Sequence, residues 1–417
     1  MNIGYACLAL GVPGSELKSC TLKNAQEERL VSLIGHNLDS LNKLIDYNIR
    51  SGIKLFRISS DLIPFGSSVA EDLPWQDIYA ETLTSTGRKI LDAGMRVSMH
   101  PGQYTVLNSR DRTVVDRARR DLDYHAKVLD CLGLGPRHKI VLHVGGVYGD
   151  KRQALKRFVS HYRHLDSAVQ SRLVLENDDR SFHIGDVLET AMSTGSPVVY
   201  DNLHNAVNPV DKSCKDLEWI TRCRETWQED DGCQKIHFSQ QHPHKRPGAH
   251  SDSIRIDAFL DFHKQLSGEG IDIMLEVKDK NVSALKCINC LSNMEIGQLE
   301  PEWERYKYCI LERSPDHYYA IQRLLRGKGA HPALEMYRMI ETSLGKPVVI
   351  GHALNAAQHV WGYLKGKALE AEKKRIQSAL MKLEMGQVGI DAVKNTLWRL
   401  ARKYEEDYLL KGYYFYL

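Results

Sequence analysis

The sequence predicts a (β/α)8 (TIM) barrel followed by a separate all-α domain. Three observations predict it. Eight short apolar, β-branched runs recur along the first 300 residues, and a helical pattern separates each from the next. Beyond about residue 300 helical periodicity stands almost alone. A 417-residue chain also has room for one barrel of about 250 residues and a smaller domain.

The eight runs are Ile3–Leu8, Leu55–Ser59, Arg96–His100, Lys139–His143, Leu173–Glu176, Pro197–Asp201, Lys235–Phe238 and Ile271–Val277. Most are nearly continuous in hydrophobicity rather than alternating, as expected of parallel strands covered on their outer face. The helical patterns are His36–Ser51, Asp77–Ala93, Val114–Leu132, Gln153–Ser171, Ile184–Ser193, Lys215–Thr226, Asp257–Leu266 and Val282–Leu291. The first sets Leu38, Leu41, Leu44, Ile45 and Ile49 on one face. Eight βα units in one run argue for a closed barrel. No G-x-G-x-x-G follows any strand, so neither a dinucleotide fold nor a nucleotide cofactor is expected.

The C-terminal periodic stretches are Ala320–Leu325, Ala333–Thr342, Val349–Leu364, Ala368–Leu383 and Ala392–Leu409, with turns at Gly327-Lys328-Gly329 and Gly345-Lys346-Pro347. The expected division is residues 1–300 for the barrel and 301–417 for the helical domain.

Composition is that of a globular chain, 42% hydrophobic and 26% charged. The net charge of +3 does not by itself announce a nucleic-acid partner. Local charge does more: Lys151, Arg152, Lys156, Arg157, Arg163 and His164 gather around one helix, and Arg110, Arg112, Arg117, Arg119 and Arg120 lie upstream. Such runs are either a nucleic-acid footprint or solvated helix faces. Nine cysteines lie scattered without a framework, and Cys287 and Cys290, with Cys309 further on, read as ordinary thiols. With no secretory leader and no apolar run of roughly 18 residues, a reduced cytoplasmic protein without a membrane span is expected.

Active sites of α/β barrels lie at the C-terminal ends of the strands. Here the third to sixth runs end on His100, His143, Glu176 and Asp201, with His204 just beyond; the seventh carries Lys235 and His237, with His250 in the next loop, and the eighth carries Glu276. Glu176 and Glu276 follow the apolar runs Leu173-Val174-Leu175 and Ile273-Met274-Leu275. A carboxylate so placed costs several kcal/mol unless paired or bound to metal. Imidazole and carboxylate without thiolate suit Zn²⁺, Mn²⁺ or Fe²⁺. Such a cluster serves phosphodiester cleavage, but also sugar isomerisation.

The stretches Gly4-Tyr5-Ala6-Cys7, Arg57-Ile58-Ser59-Ser60-Asp61-Leu62-Ile63-Pro64, His100-Pro101-Gly102-Gln103-Tyr104, His143-Val144-Gly145-Gly146-Val147-Tyr148-Gly149, Leu175-Glu176-Asn177-Asp178-Asp179, Asp201-Asn202-Leu203-His204, Lys235-Ile236-His237-Phe238-Ser239 and Gly248-Ala249-His250-Ser251-Asp252 together resemble the UV damage endonuclease family over roughly residues 1–290. The resemblance implies a barrel related to endonuclease IV that nicks damaged double-stranded DNA 5′ of UV photoproducts, leaving a 3′ hydroxyl and a 5′ phosphate. It implies two or three divalent ions per chain, manganese first and zinc as the alternative. By position, His100, His143 and Glu176 are implied to hold one ion. Glu176 as bridge, Asp201, His237 and Glu276 are implied to hold a second, and His204 and His250 a third. Glu176 and Lys235 are the implied catalytic residues, Lys235 matching a lysine that can be carboxylated. Tyr5, Gln103 and Tyr104 match residues on the lesion side of the duplex.

Two positions depart from the family's pattern. Where a histidine usually joins the first metal site, this chain reads Gly66-Ser67-Ser68-Val69, and Ser68 is a poor ligand. Four residues after Tyr5 an asparagine is usual; here it is Ala9. Residues from Asn355-Ala356-Ala357-Gln358-His359 to Tyr404-Glu405-Glu406-Asp407-Tyr408-Leu409 resemble the YbgA-like helical domain of unknown function. The terminal Tyr413-Tyr414-Phe415-Tyr416 is expected to dock on its own domain rather than stack on bases. The readings that compete with the damage endonuclease are an abasic-site endonuclease, a metal-dependent sugar isomerase and a non-catalytic damage-binding protein.

Overall fold

A computed structural model describes residues 1–266, 270–292, 296–327 and 332–417. The strands are β1 Ile3–Ala6, β2 Leu55–Arg57, β3 Arg96–Met99, β4 Lys139–His143, β5 Leu173–Glu176, β6 Val198–Asp201, β7 Lys235–Phe238 and β8 Asp272–Leu275. All neighbours are parallel, and β8 returns to pair with β1, so the sheet closes as the expected barrel. A Cβ at Gly4 would lie 2.0 Å from the Leu55 carbonyl oxygen, so β1 passes β2 only with glycine there.

The helices of the first 291 residues are α1 Glu27–Arg50, α2 Trp75–Ile78, α3 Ala80–Asp92, α4 Arg112–Cys131, α5 Lys151–Tyr162, α6 Ser167–Gln170, α7 Ile184–Thr194, α8 Asn202–Val207, α9 Asp216–Arg224, α10 Ile256–Gln265 and α11 Asn281–Leu291. Some depart from expectation. The first helix starts at Glu27, not His36, and Ile49 is 41% exposed. Asn48 occupies the buried slot instead, accepting a hydrogen bond from the Tyr5 hydroxyl at 2.8 Å. The run 153–171 breaks into α5 and α6, and 77–93 into α2 and α3. The short α8, which carries His204, has too few residues to show a period.

The chain divides into two compact units. One is Met1–Ala9, Gly14–Ile254 and Phe259–Ala284; the other is Leu10–Pro13, Arg255–Ala258 and Leu285–Leu417. The boundary expected at residue 300 thus falls inside a helix, α12 Ile296–Leu311. The other helices of the second unit are α13 Pro315–Arg326, α14 Pro332–Leu344, α15 Ile350–Leu364, α16 Glu370–Glu384, α17 Ile390–Lys403 and α18 Asp407–Lys411. The single run expected over 392–409 ends at Lys403, because Glu405 adopts a left-handed φ of 47°. Gly345 forms the expected turn; Lys328 and Gly329 lie outside the described residues. Tyr413 and Tyr414 are buried, Tyr413 donating to Glu302 Oε1 at 2.9 Å, so the aromatic terminus docks as expected. Among the described residues, no helix is long and apolar enough to cross a membrane.

Register sets the height of the barrel's inward side chains. His143 pairs with Glu176, and Asp201 with His237, so these four residues stand at the strands' C-terminal rim. Two residues earlier on three of these strands, and therefore on the same face, come Val141, Val174 and Val199. They are fully buried and pack together as an apolar floor directly beneath the rim.

Candidate metal centre

Strand β5 ends on Glu176, whose side chain is 1% exposed. Its Oε2 stands 3.1 Å from His100 Nε2 and 3.5 Å from His143 Nε2. Its Oε1 stands 2.6 Å from His237 Nδ1 and 3.8 Å from His204 Nδ1. His100 and Glu276 each lie one residue past their strands, β3 and β8, which puts them on the rim as well.

Three sets of ligand atoms converge. They are His100, His143 and Glu176; Glu176, Asp201 and His204; and Glu176, His237 and Glu276. Within each set the ligand atoms lie within 4.8 Å of one another, and Glu176 belongs to all three. His250 stands at the edge, its Nε2 3.6 Å from Glu276 Oε2. All eight residues expected to hold metal are thus gathered at one mouth. His204 falls in a set with Glu176 and Asp201, and His237 and Glu276 in another.

The electrostatics of this mouth are unbalanced. Glu176, Asp201 and Glu276 are all buried, and Arg57 Nη1 pairs with Glu276 Oε1 at 2.6 Å. Among the described residues, Asp201 Oδ2, His237 Nε2 and Lys235 Nζ are buried with no hydrogen-bond partner. Each such orphan costs about 1–3 kcal/mol if nothing else satisfies it. Burial raises the Asp201 carboxyl, aided by the charges of Glu176 and Glu276, with His204 opposing. Burial opposes protonation of His204, yet Asp201, Glu176 and Glu276 outweigh it and hold its pKa at about 9. Burial pulls His100 down to about 4 against Glu176, leaving a neutral ring with a lone pair to offer at pH 7. Clustered hard donors with orphaned lone pairs, in surplus negative charge, fit divalent cations.

A family model described as UV-endonuclease UvdE matches residues 1–303. The chain belongs to the UV-endonuclease UvdE family. Two relatives, each called UV DNA damage endonuclease, come from Clostridium perfringens and Bacillus cereus. The first is 39% identical over 321 residues, covering 76% of this chain and 78% of that protein. The second is 30% identical over 305 residues, covering 70% and 95%. The crystal structure of SacUVDE matches with 36% identity and a TM-score of 0.66, over 70% of this chain and 98% of that one. Residues 307–417 match a second model, a protein of unknown function (DUF1722).

Around this UvdE-family centre the remaining expected residues fall differently. Gln103 and Tyr104 lie exposed on the connection after His100, with Tyr104 68% exposed. Their loop is anchored below: Thr105 Oγ1 donates to Asp121 Oδ2 at 2.6 Å, and Asn108 Nδ2 to the Gly146 carbonyl at 2.9 Å. Tyr5 is the residue implied to lie on the lesion side. It is fully buried, its hydroxyl bonded to Asn48 on α1, and it presents no surface to a duplex. Lys235 is buried two residues below His237 on the same strand face. Burial, reinforced by Arg96 and Arg57, pushes its ammonium well below the ordinary lysine range. Ser68 belongs to none of the ligand sets. Its hydroxyl donates to the Phe65 carbonyl at 3.3 Å, and it lines a cavity of about 460 Å³ with Tyr104, Arg117 and Arg120.

Sequence reasoning passed over four supporting residues. Arg57 neutralises Glu276; an arginine is no ligand type, and it had no role of its own beyond the motif it opens. Asn177 clamps Asp201 from both sides, accepting from its N–H at 2.9 Å and donating to its carbonyl at 3.0 Å. Ser60 Oγ donates to the His100 carbonyl at 2.7 Å and stands 2.9 Å from His125 Nε2. Ser60 and His125 brace the residue carrying a ligand, and such supports are worth about 10–100-fold in metal affinity or activity. Ser60→Ala is therefore expected to lower cleavage roughly tenfold, with weaker metal affinity in a calorimetric titration. Unchanged affinity and rate would show that His100 needs no such brace.

Proposed function

We propose that this protein is a divalent-metal-dependent DNA-repair endonuclease that nicks double-stranded DNA on the 5′ side of UV photoproducts, leaving a 3′ hydroxyl and a 5′ phosphate. The observation that carries this reading is the imidazole–carboxylate cluster sharing Glu176 at the barrel mouth, in a chain of the UvdE family. The relatives' names supply the substrate. His100, His143 and Glu176 would hold one ion; Glu176, Asp201 and His204, and Glu176, His237 and Glu276, would hold others, with His250 beside Glu276. Such ions, manganese or zinc, would supply Lewis-acid stabilisation of the phosphate and an activated water.

The chain's own groups do the rest. Arg57 offsets one carboxylate and fixes Glu276. Lys235 Nζ, buried and without a hydrogen bond among the described residues, is the basic nitrogen adjoining the cluster. The valine floor excludes water from below, which strengthens every charge interaction above it. Exposed Tyr104 and Gln103, on a braced loop directly after His100, supply the wedge into the stack. Unstacking costs a few kcal/mol, least where a lesion has already weakened pairing. The first ligand set forms without Ser68, which favours a working nuclease over a binding-only protein.

The test is cleavage of end-labelled duplexes carrying one photoproduct, one abasic site or no lesion, followed by polymerase extension of the product. Expected is a single cut 5′ of the photoproduct with an extendable end. Cutting only the abasic duplex would move the substrate, and a 3′ phosphate would overturn the proposed products.

A further inference from the structure

On the outside of the barrel, α4 and α5 flank a half-open cavity of about 380 Å³ whose lining includes Arg110, Arg112, Arg119, Arg157, His161 and His164. Among its lining residues the one carboxylate is Asp116. That volume is within the usual range for a ligand site. The cavity shares no lining residue with the metal centre or with the cavity beside Tyr104.

The cations here are held but not neutralised. Arg157 Nε donates to the Asn108 carbonyl at 3.0 Å and its guanidinium lies over the Tyr148 ring, while its Nη2 is buried with no hydrogen-bond partner among the described residues. Arg110 donates to the Tyr148 carbonyl, and Arg119 to the His164 carbonyl at 2.9 Å. His161 Nδ1 stands 2.6 Å from the Leu107 carbonyl. A carbonyl only accepts, so that nitrogen carries the proton. Backbone carbonyls thus orient these side chains without cancelling their charge. Among the described residues, none of the four arginines forms an ion pair with a carboxylate. Four guanidinium groups on one cavity repel one another unless an anion sits between them, and their forks match phosphate oxygens.

We propose that this cavity is a phosphate site that grips the DNA backbone away from the scissile bond. The inference rests on the endonuclease reading. Its two walls grow from the two connections that follow metal-site strands: α4 follows the loop bearing Gln103 and Tyr104, and α5 follows the loop after His143. A duplex engaged by that probing loop runs on past the site, and its phosphates are the nearest dense source of the required anion. A free phosphate or small phosphorylated molecule has the same chemistry and is the alternative source.

The test uses the full chain and an undamaged 30-base-pair duplex, with affinity followed by fluorescence anisotropy over a range of KCl concentrations. Arg110→Gln/Arg112→Gln removes two exposed charges, and Arg112→Gln alone, whose side chain makes no hydrogen bond to the described residues, guards against misfolding. Arg50→Gln/Arg88→Gln removes two exposed charges elsewhere. Expected for the pocket double variant is a Kd raised roughly tenfold and a log–log salt slope shallower by about two, one per lost phosphate contact. The remote double variant is expected to bind like the parent. Inorganic phosphate is titrated calorimetrically in parallel. Unchanged duplex affinity and slope in the pocket variants would overturn the proposal; phosphate binding alongside that result would assign the cavity to a small phosphate. If the parent still nicks damaged DNA in that case, only this inference fails. A parent that neither binds nor nicks DNA would overturn both readings.

Discussion

Glu176→Gln is expected to abolish nicking, by a thousandfold or more, equivalent to about 4 kcal/mol of transition-state stabilisation. The substitution keeps the shape of the side chain and one acceptor oxygen, and replaces the charge and the other oxygen with an amide NH₂ that cannot bind a metal. That charge is common to all three ligand sets, so no set survives with its full complement. His237 and His143 hold the Glu176 carboxyl well below its ordinary range even against burial, so it is ionised throughout the working pH range. The variant is also expected to lose any rise in Tm that divalent ions give the parent, because a ligand stabilises only through the state that binds it. A variant that kept most of the parent's rate would show that Glu176 does not join the sets.

The second large effect separates two jobs of one residue. Asp201 Oδ1 accepts the His204 N–H at 2.7 Å and caps α8, whereas Oδ2 is buried with no hydrogen bond among the described residues. Asp201→Asn retains an oxygen for the cap and loses the charge. Asp201→Ala loses both. Each is expected to cut the nicking rate by roughly a hundredfold or more. Only the alanine variant is expected to lose a further increment of stability, about 1 kcal/mol, from the missing cap. Urea unfolding in EDTA isolates that increment from metal effects. Full activity in Asp201→Asn would remove Asp201 from the site, and equal stability of the two variants would remove its capping role.

Much of this was legible beforehand because barrel chemistry concentrates at strand ends. A run such as Leu173-Val174-Leu175-Glu176 announces both a buried strand and a carboxylate that needs compensation. What was not legible follows from the same feature. Strands buried on both faces do not alternate, so the sequence does not say which side chains point inward. Tyr5 shows this: it faces α1, where the resemblance implied the lesion side of the duplex. Asn48 and Ile49 show the converse on α1, where a polar residue took the buried slot because a tyrosine hydroxyl waited there. Arg57, Ser60 and His125 were missed because they support ligands across 40 residues or more of sequence, and only packing brings them together. Ser68 looked like a damaged ligand; in the fold it lines a cavity beside Tyr104.

The most direct measurement is strand cleavage of a duplex carrying one photoproduct, run after metal stripping, with EDTA, and with Mn²⁺ restored. A cut confined to the phosphodiester 5′ of the lesion, absent in EDTA and recovered with excess Mn²⁺, is the predicted result. A lesion-specific complex that forms but is never cut with any divalent ion, or a cut that persists in EDTA, would contradict it.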